Sequence, residues 1–112
     1  MYRTGAISQW CYTRPVATVV HGDFEWDDAK ALANEEKHRV SFEQAAVALL
    51  DPYSHDLDDQ DDPNRISILG AHPLTGVLYV ITCDGSEERT RIISARKADS
   101  HEHHQYEEAR SR

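Results

Sequence analysis

The sequence predicts an α+β domain in which a small antiparallel sheet carries helices on one face, in the order β-α-α-β-β-β-α. Two capped helical segments follow each other between residues 27 and 51, and three strand-like segments follow between residues 65 and 95. Short turns join antiparallel neighbours, so these three strands should form a meander.

Composition limits the possible functions. With 112 residues, 29% charged and 39% hydrophobic, the chain is long enough for one small globular domain. It contains no apolar run that would cross a bilayer and no secretory signal, so we expect a cytoplasmic protein without membrane contact. The net charge of -8 favours a basic protein partner, and RNA binding then requires that the few basic residues cluster.

The first half of the chain predicts one strand and two helices. Residues 1–16 have no clear period and form an extension of unknown role, ahead of a single domain at 17–112. Val16–His21 is β-prone and gives the first strand. Asp27 can cap the first helix, which ends at the cations Lys37 and His38.

Ser41 and Gln44 have the spacing of a capping box and begin the second helix, which Asp51-Pro52 ends. The expected apolar faces are Ala29, Leu32 and Ala33 in the first helix and Phe42, Ala45, Ala46, Leu49 and Leu50 in the second.

The second half predicts a sheet and a closing helix. His55–Leu57, inside the acidic segment Tyr53–Asn64, is a possible short edge strand. The last helix begins with a second capping box, Asp99 with Glu102, and its apolar face is thin. The meander strands are expected at Arg65–Ala71, Val77–Cys83 and Arg89–Ala95, and the helix at Asp99–Arg110.

Two acidic or histidine-rich clusters raise the possibility of a metal site. The aspartates around His55 lack the glycine and final glutamate of a calcium loop, so a solvated loop is the favoured interpretation. His101 and His104 lie one turn apart without a third ligand, which favours an exposed face. Cys11 and Cys83 are expected to be free thiols, because no secretory signal precedes them.

Two separated blocks resemble the BrnT toxins of bacterial type II toxin–antitoxin systems. They are Phe24-x-Trp26-Asp27-x-x-Lys30-Ala31 continuing to Lys37-His38-x-Val40-Ser41-Phe42-Glu43-x-Ala45, and Arg91 to Ala98 followed by Tyr106-Glu107. The resemblance runs from about residue 20 to about residue 108 and implies a RelE-like ribonuclease fold. It also implies neutralisation by a BrnA-like ribbon-helix-helix antitoxin, in a 2:2 complex that contacts DNA only through the antitoxin.

The resemblance implies an active centre made of basic residues. Metal-free RNA cleavage needs a base for the 2′-hydroxyl, an acid for the departing 5′-oxygen and cations for the phosphate, so no cofactor is expected. The matching positions are Lys37, His38, Arg65, Arg91 and Arg96 as catalytic residues and Tyr106 as a substrate-binding residue.

Each of these residues also has a structural interpretation. Lys37 and His38 can instead act as cationic partners of the negative end of the helix dipole, without any role in catalysis. Arg65 can form a surface ion pair with Asp61 or Asp62.

The later candidates depend on the path of the last strand. Arg91 and Arg96 lie on opposite faces of a regular strand, and they can share a site only if a twist or bulge near Ala95 turns Arg96 back. Tyr106 can instead anchor the thin last helix in the core.

Three functions therefore remain open on sequence alone. The first is an endoribonuclease toxin neutralised by an antitoxin. The second is a catalytically weak binding module that acts as antitoxin partner and operon co-repressor. Arg39 bears on this alternative, because it stands where the resembling family usually has a glycine that permits a left-handed helix end. The third is a metal-dependent site built from the aspartates and histidines.

Overall fold

The computed structural model describes residues 17–58 and 62–112, and within them it contains one six-stranded sheet and three α-helices. The predicted α+β class is confirmed. The strands are β1 (Thr18–His21), β2 (Phe24–Asp27), β3 (His55–Leu57), β4 (Ile66–His72), β5 (Gly76–Asp84) and β6 (Thr90–Lys97). The helices are α1 (Asp28–His38), α2 (Phe42–Leu49) and α3 (Ser100–Arg110). The extension at residues 1–16 lies outside the described residues, as do residues 59–61.

The sheet has the strand order β1-β2-β6-β5-β4-β3. The antiparallel meander of β4, β5 and β6 and the short edge strand β3 are both as predicted. The strand β2 was not predicted, and it makes the sheet mixed because it pairs with β6 in parallel, with Glu25 opposite Arg91. Gly22 has a φ of 62°, which permits the tight turn from β1 into β2.

The helices lie on both faces of the sheet, which corrects the expectation of a single covered face. Phe42 of α2 belongs to the core that contains Leu78 and Val80 of β5. Tyr106 of α3 packs instead with Val77 and Tyr79. Successive strand residues point to opposite faces, so α2 and α3 cover opposite sides of β5.

The predicted apolar face of α1 is wrong, because Ala29, Leu32 and Ala33 are all exposed, with Leu32 at 65%. The predicted face of α2 is correct except for Leu50, which is 68% exposed. In α1 the contacts are made by Ala31, which packs against the core, and by Asn34, which is buried. A polar residue therefore sets the orientation of α1, and a search for apolar spacing misses it.

The predicted helix ends are confirmed. Ala29 N–H donates to the Asp27 carboxylate over 3.3 Å. Both predicted capping boxes are present, at the start of α2 and at the start of α3. Arg39 ends α1 in the left-handed conformation, with a φ of 62° and a ψ of 29°, and its N–H donates to the Glu35 carbonyl over 2.8 Å.

Candidate active site

A cavity of about 320 Å³ lies between α1 and strands β5 and β6. Of the predicted catalytic residues, Lys37, His38 and Arg65 line it, whereas Arg91 and Arg96 do not. The described residues around the cavity are Lys30, Ala33, Asn34, Lys37, His38, Arg65, Ile81, Ile93 and Ser94. None of these carries a carboxylate, so the cavity is basic although the chain has a net charge of -8.

Helical spacing explains why α1 contributes so many of these side chains. Lys30, Asn34 and Lys37 are separated by four and three residues, so they lie on one face of the helix. That face borders β6 beyond the point where its pairing with β2 ends.

Asn34 attaches α1 to the unpaired edge of β6. Its amide accepts from Ala95 N–H over 3.1 Å and donates to the Ala95 carbonyl over 2.8 Å, as a neighbouring strand would. The same amide nitrogen donates to the Val40 carbonyl over 3.0 Å. Sequence reasoning missed Asn34, and the available signal was an asparagine inside a helix, where this residue is unfavourable without a specific partner.

A bulge in β6 changes which side chains share a face. Ile81 pairs with Ser94 and Thr82 pairs with Ile92, so Ile93 is an extra residue. Arg91 lies opposite Cys83 and Arg96 lies opposite Tyr79. Positions 79 and 83 of a strand point to the same side, so Arg91 and Arg96 share a face, as the conditional prediction required.

Arg91 is nevertheless held by a buried ion pair. Its Nη1 donates to Glu25 Oε2 over 2.6 Å, and Arg91 is only 6% exposed. The other carboxylate oxygen of Glu25 accepts from Ser86 Oγ over 2.7 Å and from Arg89 Nε over 3.2 Å. Burial acts to raise the pKa of Glu25, but the bonds from Ser86, Arg91 and Arg89 outweigh it and lower that pKa.

The backbone at Gly85 lies close to the Glu25 carboxylate of the same network. A Cβ added to Gly85 would lie 2.8 Å from Glu25 Cδ, so any other residue at this position would displace the carboxylate. The turn before β6 and the buried carboxylate of β2 therefore depend on each other.

Arg96 forms a second ion pair, with Glu102. Its two terminal nitrogens donate to the two carboxylate oxygens of Glu102, each over 2.8 Å. Its guanidinium also lies 4.1 Å from the centre of the Tyr79 ring. These bonds raise the pKa of Arg96 and lower the pKa of Glu102. The pair joins β6 to α3 and does not reach the cavity.

Arg65 and Lys30 bring positive charge to the cavity from two different elements, the segment before β4 and helix α1. Arg65 Nε lies 3.6 Å from Asp62 Oδ2, in the ion pair that the alternative interpretation anticipated, and the residue still lines the cavity. Lys30 was not among the predicted catalytic residues, although it lies seven residues before Lys37 on the same helix face. Burial lowers the pKa of Lys30, and the positive charges of Arg65 and Arg91 lower it further, whereas Asp27 raises it.

Comparison with known proteins identifies the family. The family model described as "Ribonuclease toxin, BrnT, of type II toxin-antitoxin system" matches residues 26–102, which is more than half of the chain. The chain belongs to the BrnT family. The 1.1 Å crystal structure of the Brucella abortus ribonuclease toxin BrnT shares 22% identity with it, at a TM-score of 0.54. That match covers 67% of this chain and 94% of the Brucella chain, and it supports the fold. No curated protein sequence gives a significant match.

Family membership makes this chain a type II ribonuclease toxin, and such a toxin has an antitoxin as its partner. The matched segment includes the three catalytic predictions that line the cavity. Within the described residues of this BrnT chain, every helix is too short or too polar to cross a bilayer.

The structure places Tyr106 away from the cavity. This side chain is 4% exposed, and its hydroxyl donates to Asp51 Oδ2 over 2.5 Å. Burial and the neighbouring Asp51 carboxylate raise the pKa of Tyr106 to about 12. Asp51 also accepts from Ala71 N–H over 2.9 Å, so Tyr106 ties α3 to the end of α2 and to β4. These contacts match the alternative interpretation of Tyr106 as a core anchor.

Cys83 corrects the expectation of free thiols. It is 4% exposed and takes part in a disulfide bond. Cys11 lies outside the described residues. The absence of a secretory signal was therefore an insufficient basis for predicting the oxidation state.

The described part of the chain brings together no group of three or more histidine, cysteine, aspartate or glutamate side chains that would hold a metal ion. His104 lies 3.7 Å from Glu108 on an exposed surface of α3. Two aspartates of the acidic segment, Asp59 and Asp61, lie outside the described residues.

Proposed function

We propose that this chain is a metal-independent endoribonuclease whose catalytic centre is the cavity beside α1. The observation that carries the proposal is the separation of charge. Lys30, Lys37, His38 and Arg65 surround one cavity in a chain with a net charge of -8, and no described carboxylate lines that cavity. Such a basic cavity on an acidic protein is suited to an anionic phosphodiester.

The chemistry requires a base, an acid and cationic stabilisation. The 2′-hydroxyl loses a proton and its oxygen attacks phosphorus, and the 5′-oxygen leaves with a proton. The products are a 2′,3′-cyclic phosphate and a 5′-hydroxyl. Arg65 and Lys37 both line the cavity. The Arg65 guanidinium would stabilise the phosphorane dianion, and Lys37 would contact the adjoining phosphate. Side-chain cations thus supply the charge that a metal would otherwise provide.

We further propose that the partner is a BrnA-like ribbon-helix-helix antitoxin in a 2:2 complex, and that the toxin acts in the cytoplasm. The net charge of -8 supports a basic partner, as a DNA-binding antitoxin would be. Contact with DNA would then occur only through the antitoxin. Co-expression with the neighbouring gene followed by mass determination of the purified complex tests both the partner and its stoichiometry.

The test of the activity is inducible expression in bacteria with and without the neighbouring gene, followed by growth and bulk RNA measurements. We expect growth arrest with RNA loss, and rescue by the neighbour. Arg65→Ala should abolish arrest, because it removes the cation on the strand side of the cavity. Arg110→Ala is the matched control, since Arg110 is an exposed arginine of α3 outside the cavity.

Arg91→Ala is a poor test of catalysis. It would leave the buried Glu25 without its closest cation and would destabilise the fold. If the folded wild-type protein neither arrests growth nor cleaves RNA, the ribonuclease proposal is wrong for this chain. Antitoxin binding without arrest would favour the binding-module alternative.

A further inference from the structure

We propose that Lys30 is the catalytic base of this ribonuclease centre, which accepts the 2′-hydroxyl proton of the RNA. The inference rests on the proposed function and goes beyond it by assigning a proton-transfer role to Lys30, which belongs to the first resembling block but was not among the predicted catalytic residues. It is carried by the position of Lys30 in the cavity and by the charges around it.

Lys30 differs from Lys37, the other lysine of the cavity, in how firmly its part of the helix is held. Lys30 lies one turn before Asn34, whose side chain fixes α1 against the backbone of β6. Its ammonium-bearing end is therefore delivered to the cavity by a rigid part of the helix. Lys30 is partly buried, whereas Lys37 is exposed in the last turn of the same helix.

Charge makes Lys30 suited to accept a proton. A guanidinium group does not give up its proton in proteins, so an arginine such as Arg65 cannot act as the base. Burial lowers the pKa of Lys30, and the positive charges of Arg65 and Arg91 lower it further, against the opposing effect of the Asp27 carboxylate. A lowered pKa brings the neutral amine, which is the form that accepts a proton, closer to the working pH.

The proton balance of the step is complete. The neutral Nζ of Lys30 takes the proton of the 2′-hydroxyl, and the 2′-oxygen forms a bond to phosphorus. The bond from phosphorus to the 5′-oxygen breaks, and that oxygen takes a proton from the imidazolium of His38, which lines the same cavity. Lys30 ends protonated and His38 ends neutral, so exchange with solvent restores both groups.

The same cations that lower the pKa of Lys30 also attract the substrate. Arg65 would therefore have two effects from one position: it would stabilise the phosphate charge, and it contributes to the lowered pKa of Lys30. On this basis, loss of Arg65 should both weaken RNA binding and shift the pH dependence of cleavage to higher pH.

The experiment compares Lys30→Arg with wild type on two substrates after the wild-type cut site has been mapped. One is an ordinary RNA oligonucleotide. The other carries sulfur in place of the 5′-bridging oxygen at that site, so that its thiolate leaves without needing an acid. Arginine keeps the positive charge but does not deprotonate.

We expect Lys30→Arg to lower the cleavage rate about 10²- to 10⁴-fold on both substrates, which is the usual contribution of a general base. His38→Ala should lose rate on the ordinary RNA and regain most of it on the sulfur-containing RNA. Lys97→Arg is the matched control, an exposed lysine outside the cavity, and should cleave like wild type.

Thermal unfolding checks that Lys30→Arg is folded. The Kd of Lys30→Arg for a 2′-deoxy oligonucleotide should differ from the wild-type Kd by less than about threefold. A loss confined to the ordinary RNA would make Lys30 the acid and overturn the assignment. A cleavage rate of Lys30→Arg within about threefold of wild type would leave Lys30 only an electrostatic role and would also overturn its assignment as the base. If folded wild type cleaves neither RNA, the ribonuclease proposal fails first, and the role of Lys30 fails with it.

Discussion

Asn34→Ala tests whether one polar side chain holds α1 against the sheet. Asn34 is 7% exposed and makes three hydrogen bonds to backbone groups of residues 40 and 95, at 3.0, 2.8 and 3.1 Å. Each such bond contributes about 1 kcal/mol net, and a buried donor left without a partner costs about 1–3 kcal/mol. Alanine recovers about 0.5 kcal/mol of helix propensity.

The expected loss in the free energy of unfolding is therefore about 3 kcal/mol. For a domain of this size that corresponds to a fall in Tm of about 10–15 °C. Urea unfolding followed by circular dichroism measures it, and the m-value should stay unchanged because the same surface becomes exposed.

Two further variants sharpen the test. Asn64→Ala removes an exposed asparagine and should change stability by less than about 0.5 kcal/mol. Asn34→Asp keeps the acceptor for Ala95 N–H but places a carboxylate against two carbonyl oxygens, so it should destabilise more than alanine at pH 7 and less in acid. A loss below about 1 kcal/mol for Asn34→Ala would refute the idea that this amide substitutes for a strand.

Further predictions concern the buried carboxylates and the strained helix end. Glu25→Gln leaves Arg91 buried without its counter-charge and should lower the free energy of unfolding by about 3–5 kcal/mol, measured by urea unfolding; an effect below about 1 kcal/mol would contradict the assigned burial. Tyr106→Phe removes the hydrogen bond to Asp51 and should lower Tm by the equivalent of about 1–3 kcal/mol. Arg39→Gly relieves a left-handed φ of 62° and should stabilise by about 1 kcal/mol; a lower Tm would show that this side chain makes a stabilising contact. Folding lowers the pKa values of Glu25 and Asp51 from ordinary values of 4.5 and 3.8. The two carboxylates therefore stabilise the fold fully above these ordinary values, and this stabilisation should be lost as the pH falls through the lowered pKa values of the folded state. Acid unfolding of Glu25→Gln that matches wild type would argue against this contribution of Glu25.

Local features were predictable because their partners are close in sequence. Ser41 and Gln44 bond each other across three residues, and Asp99 and Glu102 do the same. Arg39 was expected in a left-handed conformation because it stands at a helix end where a glycine is usual, and it adopts that conformation. Short turns likewise predicted the antiparallel meander.

Part of the candidate site was predictable for a related reason. Lys37 and His38 end a helix that the sequence predicts, and Arg65 directly precedes a strand, β4, that the sequence also predicts. Lys30 was within reach of the same reasoning, because helical spacing alone places it on the face of Lys37.

The sequence by itself therefore determined the capped helices, the meander and the basic character of the residues near the cavity. Only the tertiary structure decided that Glu25 binds Arg91, that Asn34 completes the edge of β6 and that a bulge at Ile93 turns Arg96 to the face of Arg91. The first two contacts join residues 66 and 61 positions apart. A capping box needs only residues three positions apart at the start of a helix. The long-range contacts exist only after β2, α1 and β6 have packed together, so no local spacing encodes them.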